Sequence, residues 1–249
     1  MNQLKTGIFI IIICISVSCL HAQSYPVENM SFQNLTINDG LSQGMVNQIL
    51  QDRYGFMWFA TKDGLNRYDG YHFKTYRHDA DDTSSLTDSY VQSLLEDSHG
   101  RIWAGTSSGN VDFFDHATGK FQHIIPGKNK LIVPDGPAQQ VLEDKQGNIW
   151  VRYFSKLYLL KFAAAGSKNL NSIEEIRLPK ISALTFIFIS ESGTIFCFET
   201  GNPEFYIFQQ GSQQWSKKML FDSNQKNNFG KQSFGINNIV QSSTSNDLF

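Results

Sequence analysis

Tyr54, Arg67, Tyr68, Tyr71 and His72 set aromatic rings and basic groups close together near the start of the chain. A ring offers a flat apolar face to the C–H side of a sugar, and an arginine donates to hydroxyls or a carboxylate. The group is therefore a candidate oligosaccharide-binding set. It also fits a structural reading, in which Tyr68 and Phe114 pack between structural units while Arg67 is solvated. Asp79, Asp81 and Asp82 in HDADDTSS offer oxygen ligands of the kind calcium takes. The stretch lacks the loop glycine and closing glutamate of an EF-hand, so a solvated connection fits it better. The six histidines are scattered without an HExxH spacing, and neither a glycine-rich phosphate loop nor a GxSxG elbow occurs. No catalytic residue, metal or cofactor is expected.

One motif recurs. DRYGFMW, DSHGRIW and DKQGNIW align Asp52, Gly55 and Trp58 with Asp97, Gly100 and Trp103 and with Asp144, Gly147 and Trp150. A weaker copy has Ser190, Gly193 and Phe196, and successive aromatic positions stand 45, 47 and 46 residues apart. That period belongs to propeller blades or helical arrays. Two catalytic propeller types fit poorly. A sialidase box sets its Asp two residues before Gly, whereas Asp97 stands three before Gly100. A quinoprotein pattern is approached only once, at residues 115–121.

Between the aromatics lie short alternating runs punctuated by Gly, Asp and Asn, with no sustained helical spacing, so the units are read as strands. First strands are expected at Val46 to Gln51, Val91 to Glu96 and Ala138 to Glu143. Each ends in a turn whose Asp accepts backbone N–H groups and whose Gly takes a positive φ. Ile102 and Trp103 then point to opposite sides of a second strand, and both sides are apolar, as in a blade between two blades. Ala60 and Gly105, two residues past each Trp, are read as room for the next blade's aromatic. The three tryptophans are expected in the core.

The fold expected is all-β: a propeller of four-stranded blades with repeats over 46–80, 91–125, 138–180 and 184–222. A fifth repeat from 236 stops at Phe249, which predicts an incomplete propeller and a longer parent. A strand over Phe32 to Ile37 is a candidate for closing the last sheet of that parent.

Of 249 residues, the first 22 read as a secretory signal peptide: Lys5, an apolar run from Ile8 to Val17, and Ala22 before a cut at Gln23. An uncleaved anchor is the alternative, and lipidation at Cys19 stays open. The net charge of −2 becomes about −3 on loss of Lys5, which gives no field for nucleic acid. Of Cys14, Cys19 and Cys197 only the last survives cleavage, so packing alone must hold the exported domain.

From Phe32 through the second tryptophan the sequence resembles the two-component regulator propeller family, the periplasmic sensor region of hybrid two-component proteins in Bacteroides-type bacteria. The likeness weakens from Val151 onward. It implies a first seven-bladed propeller followed by a second, an immunoglobulin-like domain, a membrane helix anchoring the parent in the inner membrane, a histidine kinase, a receiver and a DNA-binding output domain. It further implies sensing of glycan fragments and control of polysaccharide-utilisation genes. Partners on this reading are an oligosaccharide, the remaining blades and the kinase, with a homodimer left open. The rival is a secreted propeller that binds or degrades polysaccharide without a kinase.

Overall fold

The structure, a computed structural model, describes residues 33–124, 136–164, 166–167, 169–179, 185–190, 192–199, 204–209, 212 and 214–219. The signal segment with Cys14 and Cys19, Phe32, and the repeat from Ile236 lie outside the described residues.

Among the described residues four antiparallel meanders follow one another. Blade 1 is β1 (Val46–Gln51), β2 (Met57–Thr61), β3 (Gly64–Tyr68) and β4 (Phe73–Tyr76). Blade 2 is β5 (Val91–Glu96), β6 (Ile102–Thr106), β7 (Val111–Asp115) and β8 (Lys120–Ile124). Blade 3 is β9 (Gln140–Glu143), β10 (Ile149–Arg152), β11 (Lys156–Phe162) and β12 (Leu170–Arg177). Blade 4 is β13 (Thr185–Ile189), β14 (Ile195–Glu199), β15 (Glu204–Gln209) and β16 (Gln214–Met219). The all-β, four-strands-per-blade expectation holds.

Strand alternation sends neighbouring apolar residues of each second strand into two different seams. Trp58, Ala60 and Leu65 of blade 1 pack with Leu94, Ile102, Ala104 and Phe114 of blade 2. Trp103 and Phe113 of blade 2 meet Val141, Ile149, Tyr158 and Leu160 of blade 3. Trp150, Leu157 and Leu159 of blade 3 meet Ile187, Ile195, Cys197 and Phe208 of blade 4. Each Trp therefore faces forward and each preceding isoleucine of blades 2 and 3 faces back. Full burial of a large apolar side chain contributes about 1.5–3 kcal/mol, so these seams supply the stability that a disulfide otherwise would. Cys197 is free and buried.

The first strands of successive blades lie side by side. Gln48 ties β1 to β5 by accepting from Leu94 N at 2.8 Å and donating to Leu94 O at 3.0 Å. Gln140 does the same toward Ile187 of β13, at 2.9 and 3.3 Å. Ser93, the matching residue of β5, donates to Ala138 O at 2.8 Å. Register shifts at Val46/Gln48 and Val91/Ser93 mark bulges, which re-aim side chains out of an ordinary ladder.

Two expectations need correction. A Cβ on Gly105 would lie 2.6 Å from the Ala138 carbonyl and also strike Ser93 Oγ. The room at Gly105 thus admits the backbone that leads into the next blade's inner strand, not an aromatic. The third first strand starts at Gln140, because Ala138 N is drawn to Thr106 O of blade 2 at 2.9 Å. Residues 33–36 carry no strand and lead into a 3-10 turn, Ile37–Asp39. There Thr36 N donates to the Asp39 carboxylate at 2.7 Å and Thr36 Oγ1 accepts from Asn38 N at 3.2 Å. That capping box fixes the entry into blade 1, and the last sheet that a closing strand would complete lies outside the described residues.

Candidate functional site

The turn between the first and second strands and the turn between the third and fourth lie at one end of each blade, because a meander reverses at every turn. The repeat motif builds this end. Asp52 Oδ1 accepts from Tyr54 N and Phe56 N at 3.0 and 2.9 Å, while Oδ2 accepts from Trp58 Nε1 at 2.7 Å. Asp97 takes His99 N, Arg101 N and Trp103 Nε1 at 3.0, 2.9 and 2.8 Å. Asp144 takes Gln146 N, Asn148 N and Trp150 Nε1 at 3.0, 2.9 and 2.9 Å. Gly55, Gly100 and Gly147 close the turns with φ of 88°, 81° and 77°. One carboxylate thus shapes the turn and fixes the indole six residues on. In blade 4 Ser190 Oγ still takes the turn N–H of Thr194 at 3.1 Å, and Phe196 has no indole N–H to place. Asp97 and Asp144 have filled their acceptor positions and Asp52 accepts three bonds, with His116 Nε2 3.9 Å from its Oδ2, so all three carboxylates serve the turn and the indole.

What covers each tryptophan differs. In blade 1 the Arg67 guanidinium lies 4.5 Å from the Phe56 ring and 5.9 Å from Trp58. In blade 2 the charge changes strand: Arg101, at the position of Phe56, lies 5.1 Å from Trp103 and 5.2 Å from Phe113, which holds the position of Arg67. Arg101 also bonds Asp97 Oδ2 at 2.5 Å and Ser167 O at 2.9 Å. From the following blade, His116 reaches Trp58 at 6.1 Å and Phe162 reaches Trp103 at 5.9 Å. Burial lowers the pKa of His116, partly offset by Asp52. In blade 3 the corresponding residues are Asn148 and Leu159, both short.

All five sequence-predicted binding residues sit at this end of blade 1, but on two sides of the sheet. Tyr54, 63% exposed, turns to His116 at 4.9 Å, and Arg67 shares that seam. Arg67 is half-buried against two rings, not solvated. Tyr68 lies tilted against Phe73 at 4.6 Å on the other side and donates to Gly70 O at 2.8 Å, so it packs within blade 1. Tyr71, 84% exposed, and His72 crown the β3–β4 turn, their N–H groups held by Asp69 at 2.8 and 2.7 Å. Phe114 packs between blades as expected.

The acidic loop is tied internally: Asp79 accepts from Asp81 N at 3.0 Å, and Asp82 from Ser84 N and Oγ at 2.8 and 2.6 Å. Those bonds lower the pKa of Asp82, the Ser84 hydroxyl contributing most. Asp97, His99 and Glu143 come within 4.8 Å of one another. A cation there would compete with the Arg101 guanidinium on Asp97 and with Ser98, whose N and Oγ each donate to Glu143 at 2.7 Å.

Sequence reasoning missed the seam between blades 3 and 4. A cleft of about 320 Å³ opens there, lined by Asp144, Gln146, Asn148, Lys161 and Glu174 over Trp150, Leu159, Ile176 and Phe208. Lys161 and Glu174 pair at 2.6 Å across β11 and β12. The signal that would have found it is the pair of short residues at 148 and 159, where the earlier blades carry a cation and an aromatic.

Comparison with known proteins bears on this geometry. The model of the two component regulator propeller matches residues 40–63 and 85–108, each running from the entry into the first strand to just past the second. A curated histidine kinase of Formosa agariphila is 46% identical over 59 residues, 24% of this chain and 4% of the kinase. The extracellular domain assigned to a hybrid two component system of B. thetaiotaomicron superposes with a TM-score of 0.58 at 18% identity, over 87% of this chain and 30% of that one. Virginiamycin B lyase of Staphylococcus aureus gives 0.57 at 15% identity, over 80% and 60%. The chain thus spans a small part of the kinase and about a third of the extracellular domain, and at these identities the structural likeness shows the propeller fold. Blades 1 and 2 carry the repeats of the two-component regulator propeller family.

Proposed function

We propose that the chain is the ligand-sensing, extracytoplasmic propeller segment of a hybrid two-component sensor. Its ligand is an oligosaccharide fragment, its output the transcription of polysaccharide-utilisation genes, and its effector a kinase elsewhere in the protein. Residues 1–22 export it, and a membrane helix of the parent anchors it facing the periplasm; self-association into a homodimer belongs to the same reading. The observation that carries the proposal is the coincidence of the family's repeats with the Asp–Gly–Trp turns of blades 1 and 2. The buried carboxylates serve those turns, and exposed Tyr54, Tyr71 and His72, with Arg67 and Tyr68, give blade 1 a sugar-compatible end.

The test is genetic. Cells lacking the gene, and cells carrying the Tyr54→Ala/Tyr71→Ala double variant, are fed a panel of purified polysaccharides while their transcripts are profiled. Loss of induction on one glycan in the deletion, with a weakened response in the double variant, is the expected result. Unchanged induction on every glycan in the deletion strain overturns the proposal and favours the secreted, kinase-free propeller.

A further inference from the structure

We infer that the cleft between blades 3 and 4 is a binding site for a small uncharged polyhydroxylated ring, of the size of one or two sugar units. The seam comparison is the starting point. Trp58 is covered by Arg67 stacked on Phe56, and Trp103 by Arg101 lying against Phe113 and Phe162. Trp150 has Asn148 and Leu159 at the two corresponding positions, and the volume left by the missing stack is the cleft.

The size and charge of the cleft restrict its guest. About 320 Å³ lies at the low end of small-molecule sites, which run roughly 300–1,000 Å³. Asp144 is saturated by three N–H groups of its turn and indole and by the Asn148 amide at 3.0 Å. Lys161 and Glu174 neutralise each other. An anionic guest would therefore meet no uncompensated cation, and a cationic one would find the Asp144 oxygens already occupied by neutral donors. The rim still offers both kinds of partner: the Gln146 amide, Asn148 Oδ1, the remaining ammonium hydrogens of Lys161 and the second oxygen of Glu174. Mixed donors and acceptors above an apolar floor of Leu159, Ile176 and Phe208 suit hydroxyls on one face of a ring and C–H groups on the other. The site is separate from the blade 1 set, and its occupancy does not depend on coupling to a kinase.

The indole N–H signals of Trp58, Trp103, Trp150 and Trp215 give a direct readout by two-dimensional NMR of the full chain. Glucose, galactose, xylose and their β-linked disaccharides are titrated against glucuronate and glucosamine as charged counterparts. At least one neutral saccharide is expected to move the Trp150 signal saturably. Asn148→Arg places the cation of blade 2 at the corresponding position of blade 3, and should fill the cleft and weaken binding at least tenfold. Gln146→Ala, which leaves the turn N–H in place, should weaken it several-fold. The inference fails if no neutral saccharide moves Trp150, if Asn148→Arg binds as well as the parent, or if a charged counterpart binds better than its neutral partner. Binding abolished by Tyr54→Ala/Tyr71→Ala but kept in Asn148→Arg would overturn the cleft while leaving the glycan-sensing reading intact.

Discussion

The Asp–Trp bond of each blade predicts a specific non-additivity. Asp144→Ser and Trp150→Phe together give blade 3 the pair that blade 4 already has, Ser190 and Phe196. Serine keeps the turn, as Ser190 Oγ does with Thr194 N at 3.1 Å, but it has no second oxygen for the indole. Asp144→Ser alone therefore strands Trp150 Nε1, on a side chain only 1% exposed, at a cost of about 1–3 kcal/mol. Trp150→Phe alone costs a similar amount, about 1–3 kcal/mol, by shrinking a residue packed among Leu157, Ile187 and Phe208. In the double variant no indole remains to be stranded, so its total should fall short of the sum by about 1–2 kcal/mol. Urea denaturation followed by far-ultraviolet dichroism gives the four stabilities, and hydrogen exchange of blade 3 amides localises the loss. Additivity within about 0.5 kcal/mol would refute the claim that Asp and Trp act as one unit.

Gly100→Val should destabilise blade 2 by more than the roughly 1–2 kcal/mol of a left-handed residue, since φ is 81° and its Cβ would come within 3.1 Å of the Arg53 side chain; a melting temperature equal to the parent's would count against the turn assignment. Gly105→Ala drives a methyl into the Ala138 carbonyl and should cost about 1–3 kcal/mol while exposing the seam between blades 2 and 3 to exchange, whereas silence there would place the blades further apart than described. His123 and His116 should give opposite pH responses. The Asp112 bond at 2.9 Å, helped by Thr83 O at 2.7 Å, raises the pKa of His123, so its stabilisation is full below about pH 6.5 and is lost as pH rises through the raised folded value. Burial lowers that of His116, so its contribution is present above about pH 6.5 and is lost as pH falls through the lowered folded value. Stability against pH for His123→Gln and His116→Gln, each compared with the parent, should diverge in those two windows; parallel curves would contradict both environments.

Much of the blade plan was legible because strand burial and turn chemistry leave short-range marks. An Asp three residues before a Gly that needs positive φ, then an Ile–Trp pair with both sides apolar, specifies turn, strand and two-sided burial within seven residues. The bond from that Asp to the Trp was less legible, because an acceptor already explained by its turn gives no cue that its second oxygen is engaged. Replacement of both residues together in blade 4 was the available signal. Gln48 and Gln140 were not legible at all. Each bonds the inner strand of the next blade 46 or 47 residues away, and a glutamine on a strand carries no local mark of such a partner. The clustering of the candidate set was half legible: the sequence brought its members to one end of blade 1, but strand alternation puts Arg67 and Tyr68 on opposite sides of the sheet.

The covers of the three tryptophans show where a repeat fold is free to vary. Phe56 with Arg67 and Arg101 with Phe113 are the same stack with its members exchanged between the turn and the third strand. A cation lying on a ring depends on the pair being adjacent and not on which strand supplies which member, so both arrangements cover their tryptophan. Asn148 and Leu159 form no such stack, yet the Asp144 turn beneath them keeps the same bonds as Asp52 and Asp97. The frame therefore tolerates loss of the stack without loss of the turn or of the burial of the indole. A propeller can open a ligand cleft in this way at one seam while its neighbours stay closed, because the groups that hold a blade and the groups that cap a seam are different side chains.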